Sequence, residues 1–530
     1  MVDPTPQRAW RALCSFCGAP VEFRSAASPM AVCSYCRSTL LRDGDSLRRI
    51  GQAAELFDDH SPLQLGVAGR YQGEPFTLVG RVQMAHDEGV WNEWHALFDN
   101  GRSGWLSEDN GQHVFAFEQA AFKALPENWE RLSVGSSVFV EQEPWVVASR
   151  AAARVQAAEG ELAFAPDFKN AHPVVELRDT QGRVLSRDGG DDPPRRFLGR
   201  SVSLPDLRLS GLRDGPAEAK VNSAGLECPN CGAPLAPRLG QSLSIVCPSC
   251  KSVVDLSQKD VGTGLAHYAQ DNGLEPLIPM GRAGRFDADG SGQADSWQVV
   301  GYQERCDEPG DADEEQTFWR EYLLYNQQRG FAFLVDAEDG WSVVRPVTGV
   351  PSSRSATAVF KGVTYRKKFT YTAKTTYVIG EFYWKVRRDQ RTLNTDYAGS
   401  GSQSSLQLNR EQTGNEITWS AGRALDAKAV MGAFGIKPDQ AAAFKRDTGS
   451  WKLGSLGLKG WLWVLLMVAI LILIVRCDDS DCDHVRDTYG SASYEYQRCA
   501  HYRGSGGGGT SWGGSSGSSW GGYSSGGSHK

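Results

Sequence analysis

The chain has 530 residues, 40% of them hydrophobic, with 16 tryptophans and a formal net charge of −7 at pH 7. That length exceeds what one hydrophobic core serves, so several units are expected. The acidic balance argues against a general nucleic-acid coat. Twelve cysteines are too sparse for a disulfide scaffold, and the opening MVDPTPQRAWRAL lacks the apolar run of a signal peptide, so paired thiols in a reducing space are expected to bind metal.

The first such block lies in residues 10–45: Cys14, Cys17, Cys33 and Cys36 are spaced C-x2-C-x15-C-x2-C, and the spacing returns at Cys228, Cys231, Cys247 and Cys250 in residues 226–257. Two residues between cysteines let one tight turn aim both sulfurs at one ion, and a short hairpin brings back the second pair, which predicts two zinc ribbons holding two Zn2+. Iron could use the same four sulfurs, but neither second knuckle, CSYCRS or CPSCKS, has the glycine that an iron site of this kind favours. With four protein sulfurs per ion no position is left for a catalytic water, so the ribbons are expected to be structural or docking elements. Arg24, Arg37, Arg42, Arg48 and Arg49 make the first block basic, whereas Arg238 and Lys251 in the second face Glu227 and Asp255. That imbalance argues against nucleic acid as the partner, although a nucleic-acid-binding ribbon protein remains an alternative.

Residues 61–212 come next, then a linker at 213–225, the second ribbon, and residues 275–436. The two long segments answer each other: VWNEWHALFDNGRSGWL (90–106) matches FWREYLLYNQQRGFAFL (318–334), and AAEGELAF (157–164) matches YVIGEFYW (377–384). The whole ribbon-plus-domain unit is therefore duplicated. Frequent Val, Phe, Tyr, Trp and Thr, with alternation and turns such as DNG, predict mostly-β domains of barrel or sandwich kind. YRKKFTYTAKTTYVIGEFYW is read as two strands with a short turn, and FEQAAFKALPENWERL (117–132) as a helical interruption limited by Pro126.

Four carboxylates stand out. Glu93 shares a strand face with Trp91 and His95, and Glu321 with Trp319 and Leu323; Glu161 and Glu381 each follow a glycine. Each is either a ligand or acid–base group, or a structural carboxylate bonded to backbone or a cation. His86-Asp87-Glu88 has no counterpart in the second copy and reads as a polar turn, and DADGSGQAD (287–295) lacks the twelfth-position glutamate of a calcium loop. No GxxxxGK[ST], G-x-S-x-G or H-E-x-x-H is present, so no enzyme is expected.

Residues 437–459 lead into WLWVLLMVAILILIV, which is apolar all round and predicts one transmembrane helix over 460–476 in a lipid bilayer. Lys445, Arg446, Lys452 and Lys459 precede it, placing the large N-terminal part in the cytoplasm. The expected location is a bacterial inner membrane, crossed once. Residues 477–530 would lie outside as a disordered Gly/Ser-rich tail, where Cys482 and Cys499 could form a disulfide and the aromatics could support self-association.

Trp91, Glu93 and Trp94 with Trp105-Leu106, and Trp319, Glu321 and Tyr322 with Phe333-Leu334, together with Gly160-Glu161-Leu162 and Gly380-Glu381-Phe382, resemble the landmarks of the domain-of-unknown-function 4178 family. NREQTGNEITWSAG (409–422) resembles that family's closing segment, whereas copy one ends differently, in PPRRFLGRSVSLPDL. The resemblance implies a shared fold and a bacterial setting, with no settled activity. The expected function is a non-catalytic membrane-anchored scaffold or adaptor that offers two ribbon-linked β domains to an unidentified protein partner with a gain in avidity. The enzyme-like alternative would use the buried glutamates on a small-molecule ligand.

Overall fold

The computed structural model describes residues 10–24, 28–43, 46–52, 61–87, 89–109, 111–119, 128–213, 226–237, 242–256, 265–271, 273–288, 290, 292–309 and 315–446. Each duplicated domain is a closed antiparallel β-barrel. The first uses β1 (Glu74–Ala85), β2 (Val90–Phe98), β3 (Ser103–Asp109), β4 (Gln112–Glu118), β5 (Glu143–Leu162), β6 (His172–Arg178), β7 (Arg183–Asp188) and β8 (Arg195–Val202). β1 to β4 form one meander and β5 to β8 another. The meanders join along both edges, β4 to β8 and β1 to β5, which closes the ring.

The second barrel repeats this with β9 (Asp295–Glu308), β10 (Phe318–Asn326), β11 (Gly330–Ala337), β12 (Gly340–Val347), β13 (Val363–Phe382), β14 (Arg391–Ala398), β15 (Leu406–Thr413) and β16 (Glu416–Leu425). β12 meets β16, and β9 meets β13. The dissimilar endings noted in the sequence are thus one element: PPRRFLGRSV and NEITWSAGRAL each supply the eighth strand. After that strand the two copies take different courses. In copy one a short turn, Leu204–Leu207, covers the outer face of β1–β4 beside Trp94, Phe76 and Phe115. In copy two helix α1 (Ala427–Phe434), capped by the Asp426 carboxylate on the Lys428 amide at 2.7 Å, buries Val430, Met431 and Phe434 against Trp297, Tyr322 and Trp341. Covering that outer face buries both sides of the first meander, so β2 and β11 read as nearly continuous buried runs rather than alternating ones.

YRKKFTYTAKTTYVIGEFYW does not turn. β13 is one strand of 20 residues, as is β5. Tyr365 to Ile379 contain no Gly, Pro, Asn or Asp to make a turn. Register shifts between Lys367 and Thr370 in β13, and at Val147/Ser149 and Val155/Ala157 in β5, bend the strand instead. Each long strand therefore pairs in turn with a short hairpin, with both barrel neighbours, and finally with its ribbon.

At that last handover the backbone turns on a glycine. Gly160 and Gly380 have φ of +70° and +92°, and a Cβ there would stand 2.3 Å from the Val79 and Val300 carbonyl oxygens. Beyond them Gly160–Leu162 pairs with Met30–Val32 of ribbon one, and Glu381–Phe382 with Ser244–Ile245 of ribbon two.

The barrels lie in one unit and touch directly: Ser149 pairs with Glu416, and the Arg150 amide donates to the Asn415 carbonyl at 3.0 Å. The expected helical interruption over 117–132 begins instead in strand β4, which holds Phe117 and Glu118, and its described end carries a single turn at Trp129–Arg131. No helix among the described residues is long and apolar enough to cross a membrane. The expected span 460–476, the tail 477–530 with Cys482 and Cys499, and most of the linker lie outside the described residues.

Candidate metal centres and a candidate binding cavity

Each ribbon brings its four cysteines together, with all sulfurs of a quartet within 4.8 Å of one another. Cys14 Sγ is 3.7 Å from Cys36 Sγ and Cys17 Sγ 3.7 Å from Cys33 Sγ; in the second ribbon the matching separations are 3.6 Å and 3.7 Å. A tetrahedron with arms of about 2.3 Å has edges of about 3.8 Å, whereas a disulfide needs about 2.05 Å. Both quartets are compatible with a zinc site.

The knuckles are preformed by backbone hydrogen bonds: Gly18 and Arg37 amides return to the Cys14 and Cys33 carbonyls at 2.9 and 2.8 Å, and Gly232 and Lys251 repeat the pattern at 2.8 and 3.0 Å. All four residues are left-handed, with φ between 58° and 73°. The second knuckle therefore takes the turn without glycine.

Burial opposes ionisation of the Cys36 thiol, but the hydrogen bonds of Ser38 outweigh it and hold it down at about 6. Ser252 holds Cys250 down at about 5. The Ala19 and Ala233 amides favour the thiolates of Cys17 and Cys231, yet burial and the crowded neighbouring sulfurs push both up to about 12. Four thiolates this close need a cation among them.

Glu161 and Glu381 lie at the handover from barrel to ribbon. Glu161 Oε1 accepts the Arg24 amide of ribbon one at 2.6 Å, and Glu381 Oε2 accepts the Ser242 hydroxyl of ribbon two at 2.8 Å. His95 Nδ1 sits 3.0 Å from the Glu161 carbonyl oxygen, and burial pushes that imidazole down toward its neutral form. These carboxylates tie the ribbons on.

Glu93 and Glu321 point into the barrels from equivalent places. Glu93 stands opposite Val82 and Glu321 opposite Gln303, while Trp91 faces Met84 and Trp319 faces Arg305. In both copies the indole two residues earlier donates to the carboxylate at 2.7 Å. Here the likeness ends.

The second barrel is filled by its own polar side chains. Arg305 Nη1 is 3.4 Å from Glu321 Oε1 and 3.2 Å from Glu411 Oε2, its Nη2 donates to Thr392 Oγ1 at 2.5 Å, and Gln303 Nε2 donates to Glu321 Oε2 at 2.6 Å. Asn409 Nδ2 donates to Asp396 Oδ1 at 2.6 Å, and the Tyr371 ring meets Trp319 edge-on at 5.8 Å. One guanidinium serves two buried carboxyls, Glu321 and Glu411, and Asp396 lies beyond its reach. Burial pushes Asp396 up to about 8 and Glu411 up to about 7, the nearby Arg305 only partly offsetting it for Glu411.

The first barrel is hollow, with a cavity of about 600 Å3. Cross-strand registers give the reason. Ala151 faces Val174 where Tyr371 faces Asn394, and Met84 and Val82 replace Arg305 and Gln303. The lining combines aromatic rings (Trp91, Trp105, Phe164, Phe197) with carboxylates, among them Glu93, Asp109, Glu176 and Asp188, and with the arginines Arg150, Arg195, Arg387, Arg388 and Arg391; His86 and Asp87 line it too. Within that lining Arg195 stacks on Phe164 at 3.7 Å and meets Asp191 at 2.6 Å and Asp188 at 3.8 Å. His172 Nε2 lies 3.0 Å from Asp188 Oδ1. Contact with Asp188 raises the His172 imidazole, and that partner outweighs burial in holding Asp188 below the usual carboxylate range. Copy two supplies part of the wall through Arg387, Arg388 and the Thr413–Glu416 turn.

Sequence reasoning located the cysteines and the four glutamates but missed Arg305, Glu411, Asp396 and the cavity. The alternating polar positions of NTD and NRE carried a signal for the filled barrel, since Asn394, Asp396, Asn409 and Glu411 are all buried.

No curated protein matches the chain. A crystal structure of a protein of unknown function from the DUF3598 family of Nostoc punctiforme aligns over 70% of this chain and 100% of that one at 8% identity, with a TM-score of 0.11, too low to carry a fold argument. The family described as domain of unknown function (DUF4178) matches residues 64–204 and again 290–427, the spans that form the two barrels. These matches cover a little over half of the sequence, and the chain belongs to that family, in two copies.

Proposed function

We propose that this chain is a non-catalytic, membrane-anchored binding protein in which the first barrel holds a small ligand and the second is its filled structural twin. The observation that carries this reading is the contrast between two barrels of one topology, one filled by Arg305, Tyr371 and their partners, the other enclosing about 600 Å3. Eight-stranded barrels are just wide enough for side chains to fill or for one small ligand, and the volume lies in the range of small-molecule sites. Two zinc ions close the ribbons, which Glu161 and Glu381 fix to the barrels. The apolar run at 460–476 anchors the unit at the inner membrane, with the barrels in the cytoplasm, where a ligand-dependent surface meets a protein partner.

The container reading is tested with the neutral fluorescent probe N-phenyl-1-naphthylamine and the full chain in detergent. Wild-type protein should bind it saturably, and Ala151→Tyr, which restores the second barrel's ring, should abolish binding while the protein stays folded. Equal binding by both proteins would show that the probe sits elsewhere and remove the reading. For the anchor, the whole chain should sediment with membranes and a chain ending at residue 446 should not; co-sedimentation of both would dismiss it.

A further inference from the structure

We propose that the first barrel takes a planar organic cation, a guanidinium or amidinium on an aromatic or apolar body, seated on Glu93 between Trp91 and Trp105. This assignment rests on the container reading and goes further by naming the ligand's chemistry.

The second barrel displays the complex internally. Its guanidinium comes from Arg305, lies within 3.4 Å of Glu321 and 3.2 Å of Glu411, and sits 5.8 Å from the Trp319 ring centre, which the Tyr371 ring meets edge-on. Moved into the first barrel by the shared register, the carboxylate is Glu93, the indole is Trp91, the guanidinium position is Met84 and the phenol position is Ala151. All four line the cavity. The receiving groups are kept, and the two side chains that fill the space are cut back.

The indole–carboxylate contact is the same in both copies, 2.7 Å, and Ser107 Oγ adds a second donor to Glu93 at 3.1 Å, so the carboxylate is oriented before any ligand arrives. Its matched position and the volume in front of it carry the assignment, whatever other contacts Glu93 makes. A flat cation suits the site because it can hydrogen-bond the carboxylate while its face lies on an indole. The missing phenol asks for an apolar or aromatic body attached to that cation.

Benzamidine combines these features, and benzamide is its neutral counterpart of the same shape. Calorimetric titration of the full chain should show saturable benzamidine binding and at least about tenfold weaker benzamide binding. Glu93→Gln should weaken benzamidine on the order of 10- to 100-fold, far more than it alters binding of the neutral N-phenyl-1-naphthylamine. Met84→Arg should abolish benzamidine binding by supplying the cation from within; should that variant misfold, Glu93→Gln decides alone. Equal affinity for the two probes, or an unchanged Glu93→Gln variant, overturns the cation assignment. If the naphthylamine probe binds and benzamidine does not, the container stands and its ligand is of another class. If neither binds, both readings fall.

Discussion

The interior of the second barrel makes an unusual demand on pH, and Asp396→Asn isolates it. Asp396 is buried, accepts from Asn409 at 2.6 Å, and shares its surroundings with Tyr371, Asp339 and Glu411. Burial pushes its carboxyl up to about 8, which favours the protonated form in the fold at acidic to neutral pH. A group raised in the fold stabilises fully below its unfolded value and loses that contribution as pH rises through the folded value. For a free aspartate near 3.9, each pH unit up to about 8 costs the fold about 1.4 kcal/mol. From pH 5 to pH 8 the ceiling is about 4 kcal/mol, and relaxation around the ionised group brings the expectation to about 2–3 kcal/mol. Glu411, raised to about 7, acts with the same sign. Wild-type protein should therefore lose stability on going from pH 5 to pH 8. Asp396→Asn, which keeps the shape and cannot ionise, should lose about 2 kcal/mol less. Urea unfolding followed by tryptophan fluorescence at pH 5, 6.5 and 8 measures both. Parallel pH profiles for the two proteins, or wild-type stability that climbs with pH, would refute the picture of an under-compensated interior.

The ribbons and their attachment give two further outcomes. Gly160→Ala and Gly380→Ala each place a Cβ 2.3 Å from a backbone oxygen at positive φ, and each should cost about 2–4 kcal/mol in thermal or urea melts; a change under about 0.5 kcal/mol would contradict the handover geometry. Elemental analysis of the purified chain should return two zinc ions, and Cys36→Ser should reduce this to one while the barrels keep their near-ultraviolet dichroism. Two ions bound after that substitution would place the metal elsewhere.

What the sequence made legible is what is local. Metal geometry constrains cysteines a few residues apart, so the quartets could be read from spacing alone. The landmarks Trp91-Asn92-Glu93 and Gly160-Glu161 located the repeat because each is a short run with one backbone job. Glu161 and Glu381 could be singled out but not assigned, since their partners, Arg24 and Ser242, sit more than a hundred positions away. The 20-residue strands were misread because bulges, which leave no residue signature here, replaced the expected turn. The closing strands looked unrelated because only their backbone is shared: Phe197 stands where Ser420 does, opposite Ser186 and Asn409 respectively. The cavity was invisible for the same reason. Ala151 among alanines reads as a plain strand until the register shows that its counterpart is a tyrosine.

Stability alone explains neither interior. A buried cation among carboxyls is often matched or exceeded in stability by apolar residues of the same volume, so the filling of the second barrel is not the most stabilising choice. The hollow first barrel is harder still to justify. At about 24 cal/mol per Å3, a dry apolar void of about 600 Å3 would cost on the order of 10 kcal/mol, comparable with the whole stability of a domain. The first barrel can carry that space only because Glu93, Ser107, Glu176 and Ser186 line it and keep its contents polar, as water or as ligand. A chain that already encodes a filled version of the same barrel has a ready alternative to an open one. Keeping the open version, with the same indole aiming the same carboxylate inward, is what a binding site requires and what a purely structural spacer does not.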